Sequence, residues 1–256
     1  MVARQLDEQL AARFPLGRQL RVLDVGMGLG TQALRLARAG HTVTGLEDDP
    51  ALLTAAREAL AAEPPGIRQR TRIVEGDGRD TGVHFLPGSF DVVLCHGVLM
   101  SVPEPDPLLA GLARMLAPGG LLSLVVRNGD APAFGPGLRG DWAGALAALD
   151  AGVRLPGPRT GADDETDTGA SSAQPPREGR AERLADLTAT LAGIGAPLQA
   201  WYGVRVFTDA VFPQRPQPDA GLPVDVGMLL AVEERAGRTD PYRAVATLLH
   251  LCGVRG

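Results

Sequence analysis

Short apolar runs and amphipathic stretches alternate through the first half of the chain. Val22 to Val25 reads as a buried strand, and Thr31 to Ala39, with Ala33, Leu34 and Ala37 at helical spacing, as the helix after it. A second strand runs from His41 to Glu47. Pro50 opens a helix through Ala62, which Pro64-Pro65-Gly66 stops. Arg72 to Val74 predicts a third strand and Phe90 to His96 a fourth, buried on both faces. Pro105 or Pro107 opens a helix through Leu116, and Pro118-Gly119-Gly120 turns the chain into a fifth strand, Leu121 to Val126. This rhythm predicts an α/β fold with a doubly wound, mostly parallel sheet.

The flanks follow other patterns. Leu6, Leu10 and Phe14 are spaced at four, so Met1 to Phe14 is predicted to be a helix packed on the sheet, ended by Pro15 and Gly17. Beyond Arg127 the rhythm breaks into a glycine- and proline-rich stretch, Asn128 to Gly140, and a short helix, Asp141 to Asp150, that carries Trp142. Together they suit a small substrate cap. Leu155 to Arg180 holds the acidic run Asp163 to Asp167 and almost no large apolar residue, so burial cannot offset its ordering entropy and disorder is predicted. A helix from Ala181 to Ile194, a strand from Trp201 to Phe207, a helix from Val224 to Arg235 and a last strand from Ala246 to Leu251 complete the reading. The resulting division is 1–20 for the N-terminal helix, 21–150 for the ligand-binding core and the start of the cap, 151–182 for a flexible acidic insert, and 183–256 for the rest of the sheet with substrate-side elements.

Composition narrows the class. At 256 residues and 45% hydrophobic, the chain supports one main domain. All 25 basic residues are arginine. A lysine-dependent triphosphate loop and a pyridoxal phosphate Schiff base are therefore excluded. Cys95 and Cys252 both lie in apolar runs, as small core residues do, and the expected compartment is the reducing cytoplasm. No run has the length of a membrane span or the form of a signal-peptide core, so no membrane partner is expected. The formal charge of −5 gives no global attraction to polyanions.

The candidate site lies at the carboxyl ends of the predicted strands, where open α/β sheets bind ligands. Asp24, Gly26, Met27, Gly28 and Gly30 form a strand-to-helix loop in which glycine permits positive φ and close ligand approach. Glu47 closes the second strand about 20 residues on, where a carboxylate meets ribose hydroxyls. A dinucleotide fingerprint would need glycine at position 31, which is threonine. A loop without a phosphate-reading lysine suits a ligand whose nearby part is an amino acid, as in S-adenosylmethionine. A second polar loop, Glu75 to Asp80, carries Asp77, Gly78 and Arg79, and the fourth strand delivers His96 to the same edge. No Ser/His/Asp or metal-ligand constellation stands out, and no metal is expected. A nucleotide-dependent oxidoreductase and a catalytically silent binding protein of the same fold remain as alternatives.

Taken together, Val22 to Gly30, Glu47, Gly76 to Asp80 and Leu116-Ala117-Pro118-Gly119-Gly120 resemble the class I S-adenosylmethionine-dependent methyltransferases over about residues 21 to 127. The resemblance implies a seven-stranded, Rossmann-like sheet whose last strand is inserted antiparallel. A narrower similarity, to bacterial methyltransferases that esterify 5-carboxymethoxyuridine at the tRNA wobble position, is carried by Cys95 to Leu99, Val126-Arg127-Asn128, Gly203 to Asp209, and Asp240-Pro241-Tyr242 with Leu249-His250. It implies that Gly26 and Met27 contact the cofactor, Glu47 holds its ribose, Gly78 and Arg79 flank its adenine, and His96 closes the site. In those enzymes a segment ahead of the first helix supplies an arginine near the cofactor. Its counterpart here lies upstream of Met1 or is replaced by another residue. Where they carry a lysine-rich stretch, this chain has the acidic run, so two acceptors stand side by side: tRNA and a small carboxylate metabolite. Arg205 is the candidate clamp for the acceptor carboxylate, with Tyr202 as hydrogen-bond partner and Asn128 at the cap. For a hydroxyl or amine acceptor, His96 is the candidate base.

Overall fold

Leucine- and valine-rich runs cannot stay solvated, and here they pair into one sheet that is buried on both faces. The computed structural model describes residues 1–153, 180–208 and 225–256. Its strands are β1 (Arg21–Val25), β2 (Thr42–Glu47), β3 (Thr71–Glu75), β4 (Phe90–His96), β5 (Leu116–Arg127), β6 (Leu198–Val204) and β7 (Leu248–Val254). Their order across the sheet is β3-β2-β1-β4-β5-β7-β6, with β1 to β5 parallel and β7 antiparallel to both of its neighbours. The sheet is thus seven-stranded and doubly wound, with the last strand inserted antiparallel.

Alternation along each strand sorts side chains into two layers. On one face Leu23, Val25, Val93, Leu122, Leu124, Val126, Leu249 and Leu251 pack beneath α6 (Pro105–Met115) and α9 (Leu184–Gly193). On the other, Val22, Val43, Val92, Leu94, Leu121, Tyr202 and Cys252 pack beneath α1 (Val2–Arg13) and α2 (Thr31–Arg38). Leu6 and Leu10 of α1 are buried there, as their spacing predicts, and Gln5 is buried with them. Asp91, at the start of β4, is buried against Arg18 and Arg21. Desolvation alone would raise its pKa, but hydrogen bonds and charge from Arg21, with Arg18, hold it below the usual carboxylate range.

Other helices follow local signals. Asp49 caps α3 (Pro50–Ala61), accepting from the Ala51 and Leu52 amides at 2.7 and 3.1 Å, with Pro50 in the first turn. Pro64-Pro65-Gly66 does more than stop α3: Pro65 opens a short α4 (Pro65–Gln69), because proline's fixed φ already suits a first helical position. After β3 come a 3₁₀ turn at Gly78–Asp80 and α5 (Thr81–His84). The cap region folds as α7 (Phe134–Leu138) and α8 (Trp142–Val153).

The C-terminal part differs from the sequence reading in register. β6 ends at Val204, three residues before the expected Phe207, because Arg205 has φ +63 and turns the chain out of the sheet. The last strand begins at Leu248 and runs to Val254, since Tyr242–Val245 is a 3₁₀ turn and Ala246 and Thr247 lead out of it. Glu182 forms an isolated bridge with Asn128, so the helix predicted from Ala181 starts only at Leu184. The helix α10 spans Val226–Ala236. Nearly all of the segment expected to be disordered, together with Asp209 and Val224, lies outside the described residues. Arg180, at the end of that segment, is described, and it donates to the Met100 and Pro103 carbonyls. Both cysteines are buried and unbridged. Among the described residues no helix is long and apolar enough to cross a membrane.

Candidate active site

Between β1 and α2 the chain turns through Gly26, Gly28 and Gly30, all with positive φ (63, 56 and 77°). Space adds to the requirement at Gly26, where a Cβ would stand 2.2 Å from Val98 Cγ2. Met27 is buried beneath the loop. A Cβ on Gly45 of β2 would lie 2.0 Å from its Sδ. The Met27 side chain therefore supports the loop from the sheet side, and only its backbone is left to meet a ligand.

The loop amides show what kind of ligand the turn accepts. Gly26 and Met27 donate to the Leu46 carbonyl at 2.8 and 3.2 Å, Gly30 to the Met27 carbonyl at 2.9 Å, and Gly28 to Glu47 Oε2 at 2.8 Å. A pyrophosphate cradle needs such amides free and pointing outward. Here four are spent inside the fold, which argues against a dinucleotide. Glu47 is buried, and its Oε1 also accepts from Asp48 and Asp49, each at 3.2 Å. A carboxylate offers about four acceptor positions, so one remains for a ribose hydroxyl beside the three amides. The expectation that Glu47 takes both hydroxyls is not accommodated without loosening the Asp48 and Asp49 bonds.

Asp24 completes an electronegative pair. It is fully buried on β1, and its pKa is pushed up to about 7 by desolvation and by the Glu47 charge, against a hydrogen bond from the Ala33 amide that lowers it. Burial thus disfavours the charge on this carboxylate. A ligand bearing an ammonium or sulfonium would relieve it, whereas a phosphate would aggravate it. The donor set therefore fits S-adenosylmethionine, with Asp24 the candidate partner of its cationic end and Glu47 of its ribose.

The second loop is held by its own charges. Asp77 accepts from the Arg79 amide at 2.8 Å and pairs with the Arg79 guanidinium, and those hydrogen bonds depress the Asp77 pKa. Gly78 sits against the sheet, where a Cβ would come 2.6 Å from Val25 Cγ1. The loop is shaped to lie flat at the carboxyl edge of β3. His96 ends β4 at the same edge, but its Nε2 turns inward, 2.9 Å from Ser123 Oγ. Burial, followed by the Arg35 charge, lowers its pKa to about 4, so the ring is neutral at physiological pH.

The substrate-side expectations require more correction. The Asn128 amide nitrogen donates to the Ala244 and Ala246 carbonyls at 2.9 and 2.8 Å, and its Oδ1 accepts from the Asp130 amide at 2.9 Å. Both of its donors are used to pin the end of β5, so it is not available as a substrate donor. Tyr202 is buried under α1, with its hydroxyl 2.6 Å from Gln9 Nε2 and its ring stacked on His250. The expected use of that hydroxyl as a hydrogen-bond partner of the substrate beside Arg205 is overturned by this contact, because strand alternation points residue 202 to the α1 face. Arg205 is exposed at the end of β6.

Sequence reasoning missed the group that shapes the Arg205 turn. Glu233 of α10 is fully buried and accepts from the Val206, Phe207 and Thr208 amides at 3.0, 2.7 and 2.7 Å. The signal was its helical spacing of three from Ala236, which shares its buried face. Ser123, His250 and Gln5 were missed as polar positions within apolar or amphipathic stretches. Within the cap, Pro132, Phe134, Leu138, Trp142 and Leu149 line an open, largely apolar depression of about 440 Å³.

Comparison with known proteins agrees with this geometry. Residues 23–124 match the model of a methyltransferase domain. Over 96% of its length the chain is 30% identical to a tRNA 5-carboxymethoxyuridine methyltransferase of Escherichia coli, covering 83% of that protein. A ubiquinone biosynthesis O-methyltransferase of Paracidovorax citrulli is 39% identical, over only 44% of this chain and 46% of that one. In fold, the chain matches a magnesium protoporphyrin IX methyltransferase from Synechocystis PCC 6803 with bound SAH (TM-score 0.57, 17% identity, 99% of this chain and 81% of that one). The [4+2]-cyclase SpnF has the same TM-score of 0.57 at 21% identity, again over 99% of this chain and 81% of that one, so the fold alone does not fix a reaction. Sequence does so for the class: the chain belongs to the class I S-adenosylmethionine-dependent methyltransferases.

Proposed function

We propose that the enzyme methylates a carboxylate, and that its acceptor is the 5-carboxymethoxy group of a tRNA uridine. The observation carrying this reading is the extent of the likeness to the tRNA enzyme, which continues through both the cofactor half and the acceptor half. The match to the ubiquinone-pathway enzyme covers less than half of either chain and is silent on the acceptor.

S-adenosylmethionine supplies an electrophilic methyl group on a sulfonium. The residues around the glycine loop serve to bind and orient: Asp24 and Glu47 set a negative potential for the cationic end, and Gly26 and Gly28 allow backbone approach. An acceptor carboxylate is already ionised at neutral pH, so the chain needs no base for the transfer. Its task is to hold the nucleophile in line and keep water away. In this reading Arg205, carried on the turn that Glu233 shapes, meets that carboxylate with a two-pronged guanidinium.

The test is to incubate the protein and methyl-labelled cofactor with total tRNA and, separately, with a small-molecule extract. Label entering tRNA as a base-labile ester is the expected result, with loss on Arg205→Ala while cofactor binding persists. Base-labile label only in the small-molecule fraction would replace the tRNA acceptor with a metabolite. Label stable to mild base would overturn the carboxylate reading altogether.

A further inference from the structure

On the sheet face beneath α1 a line of polar side chains crosses three strands. His96 of β4, Ser123 of β5 and His250 of β7 share this face, because His96 pairs with Val125, Val125 with His250, and Ser123 stands two residues before Val125. His96 Nε2 lies 2.9 Å from Ser123 Oγ, and Ser123 Oγ lies 2.8 Å from His250 Nε2. His250 Nδ1 lies 2.9 Å from Gln5 Oε1, and Gln5 Nε2 faces the Gly203 carbonyl at 3.5 Å. Ser123 and His250 are fully buried and Gln5 nearly so. A line of polar groups in such a place is costly unless every link pairs a donor with an acceptor.

The far end sets the direction of the line. A carbonyl only accepts, so the side of the Gln5 amide facing Gly203 is the nitrogen, and its oxygen faces His250. His250 Nδ1 must then carry a proton. Burial keeps this imidazole neutral, with its pKa lowered to about 3, so its Nε2 is a bare acceptor. Ser123 fills that acceptor with its hydroxyl proton, while Cys252 Sγ approaches the same nitrogen at 3.5 Å. The Ser123 oxygen is left as acceptor for His96 Nε2, which must therefore be N–H. With His96 also neutral, its lone pair falls on Nδ1.

We infer that Gln5, His250 and Ser123 are positioning residues that lock His96 as the Nε2–H tautomer and so present Nδ1 as a hydrogen-bond acceptor to the methyl-transfer site. The inference rests on the reading that His96 borders that site. An acceptor there attracts an N–H or O–H of a bound ligand and places the negative end of the ring dipole toward a cationic cofactor. It also repels a carboxylate oxygen, so the nucleophile must approach away from His96, as it does if Arg205 holds it. In the opposite tautomer all three preferences reverse.

The line can be read without turnover. Long-range ¹H–¹⁵N spectra of the ¹⁵N-labelled full chain, with the rings assigned through His96→Gln and His250→Gln, report which nitrogen of each ring is protonated. Expected are Nε2–H with bare Nδ1 at His96, and the reverse at His250. Gln5→Met, which removes the acceptor at the far end, is expected to abolish the single-tautomer pattern at His96. Gln5→Glu, which keeps an acceptor there, is expected to restore it. Adding S-adenosylhomocysteine is expected to move the His96 Nδ1 resonance. A protonated Nδ1 at His96 in the wild type, an unchanged His96 pattern in a folded Gln5→Met variant, or an Nδ1 indifferent to the ligand would each overturn the inference. The identity of the acceptor does not enter these spectra, so a failed esterification assay leaves the tautomer result standing.

Discussion

Glu47→Gln tests the glycine loop with the smallest possible change in volume. The carboxylate receives three backbone amides, from Gly28 on one oxygen and from Asp48 and Asp49 on the other. Glutamine has one carbonyl oxygen and one amide nitrogen, so in either orientation at least one of those N–H groups meets another donor. Leaving a buried donor unsatisfied costs about 1–3 kcal/mol, and the surviving bonds lose their charge-assisted strength. For a domain of this size each kcal/mol lowers the melting temperature by about 2–4 °C, so a drop of about 2–12 °C is expected for the ligand-free protein. Cofactor affinity, measured by calorimetric titration with S-adenosylhomocysteine, is expected to fall by about tenfold or more, since tenfold corresponds to about 1.4 kcal/mol. A variant melting within about 1 °C of wild type would refute the three-amide clasp. A destabilised variant with unchanged affinity would confine Glu47 to the loop and remove it from the ligand.

Two other outcomes follow from the same loop. Gly26→Ala sets a Cβ 2.2 Å from Val98 Cγ2 at a φ of +63°, so the turn must shift and calorimetric cofactor binding is expected to disappear while the helical circular-dichroism signal persists. Asp24, with a folded pKa of about 7 against 3.8, keeps a proton that the unfolded chain has lost, so its contribution favours folding at low pH and is lost as pH rises through about 7. A cation bound beside it reverses the shift, and S-adenosylmethionine titrated at pH 7 in two buffers of different ionisation enthalpy is expected to release up to about half a proton. Equal heats in both buffers would remove Asp24 from the cation's neighbourhood.

The cofactor half was legible because its signals are local. Glycines needing positive φ, a proline opening α3 and apolar runs of strand length act within a few residues, and Phe90–His96 emerged with the boundaries its pattern predicts. The acceptor half depends on distant partners. Nothing near Arg205 in sequence says that β6 stops there; the reason is Glu233, far along the chain, which collects the next three amides. Asn128 looked like a free polar residue at a strand end, and only the fold brings the Ala244 and Ala246 carbonyls to its amide. Tyr202 was placed toward the substrate because its strand was known but not which layer would cover it. Ser123 and His250 are a further case, since a lone serine in a leucine-rich strand carries no sign of its partner until β7 lies beside β5.

The antiparallel insertion of β7 also dictates an order of events on the ribosome. β6 joins the sheet only through β7, so while the chain emerges β6 has no strand to pair with and the outer edge of β5 stays open. At ordinary elongation rates that interval lasts about 3–10 s, far longer than a hairpin or helix takes to form. During it the nascent protein holds a nearly finished cofactor lobe with one of its most apolar strands exposed along an edge, the geometry that invites pairing with another chain. Gln5 must wait for His250, made 245 residues later, before α1 can dock with its polar side satisfied.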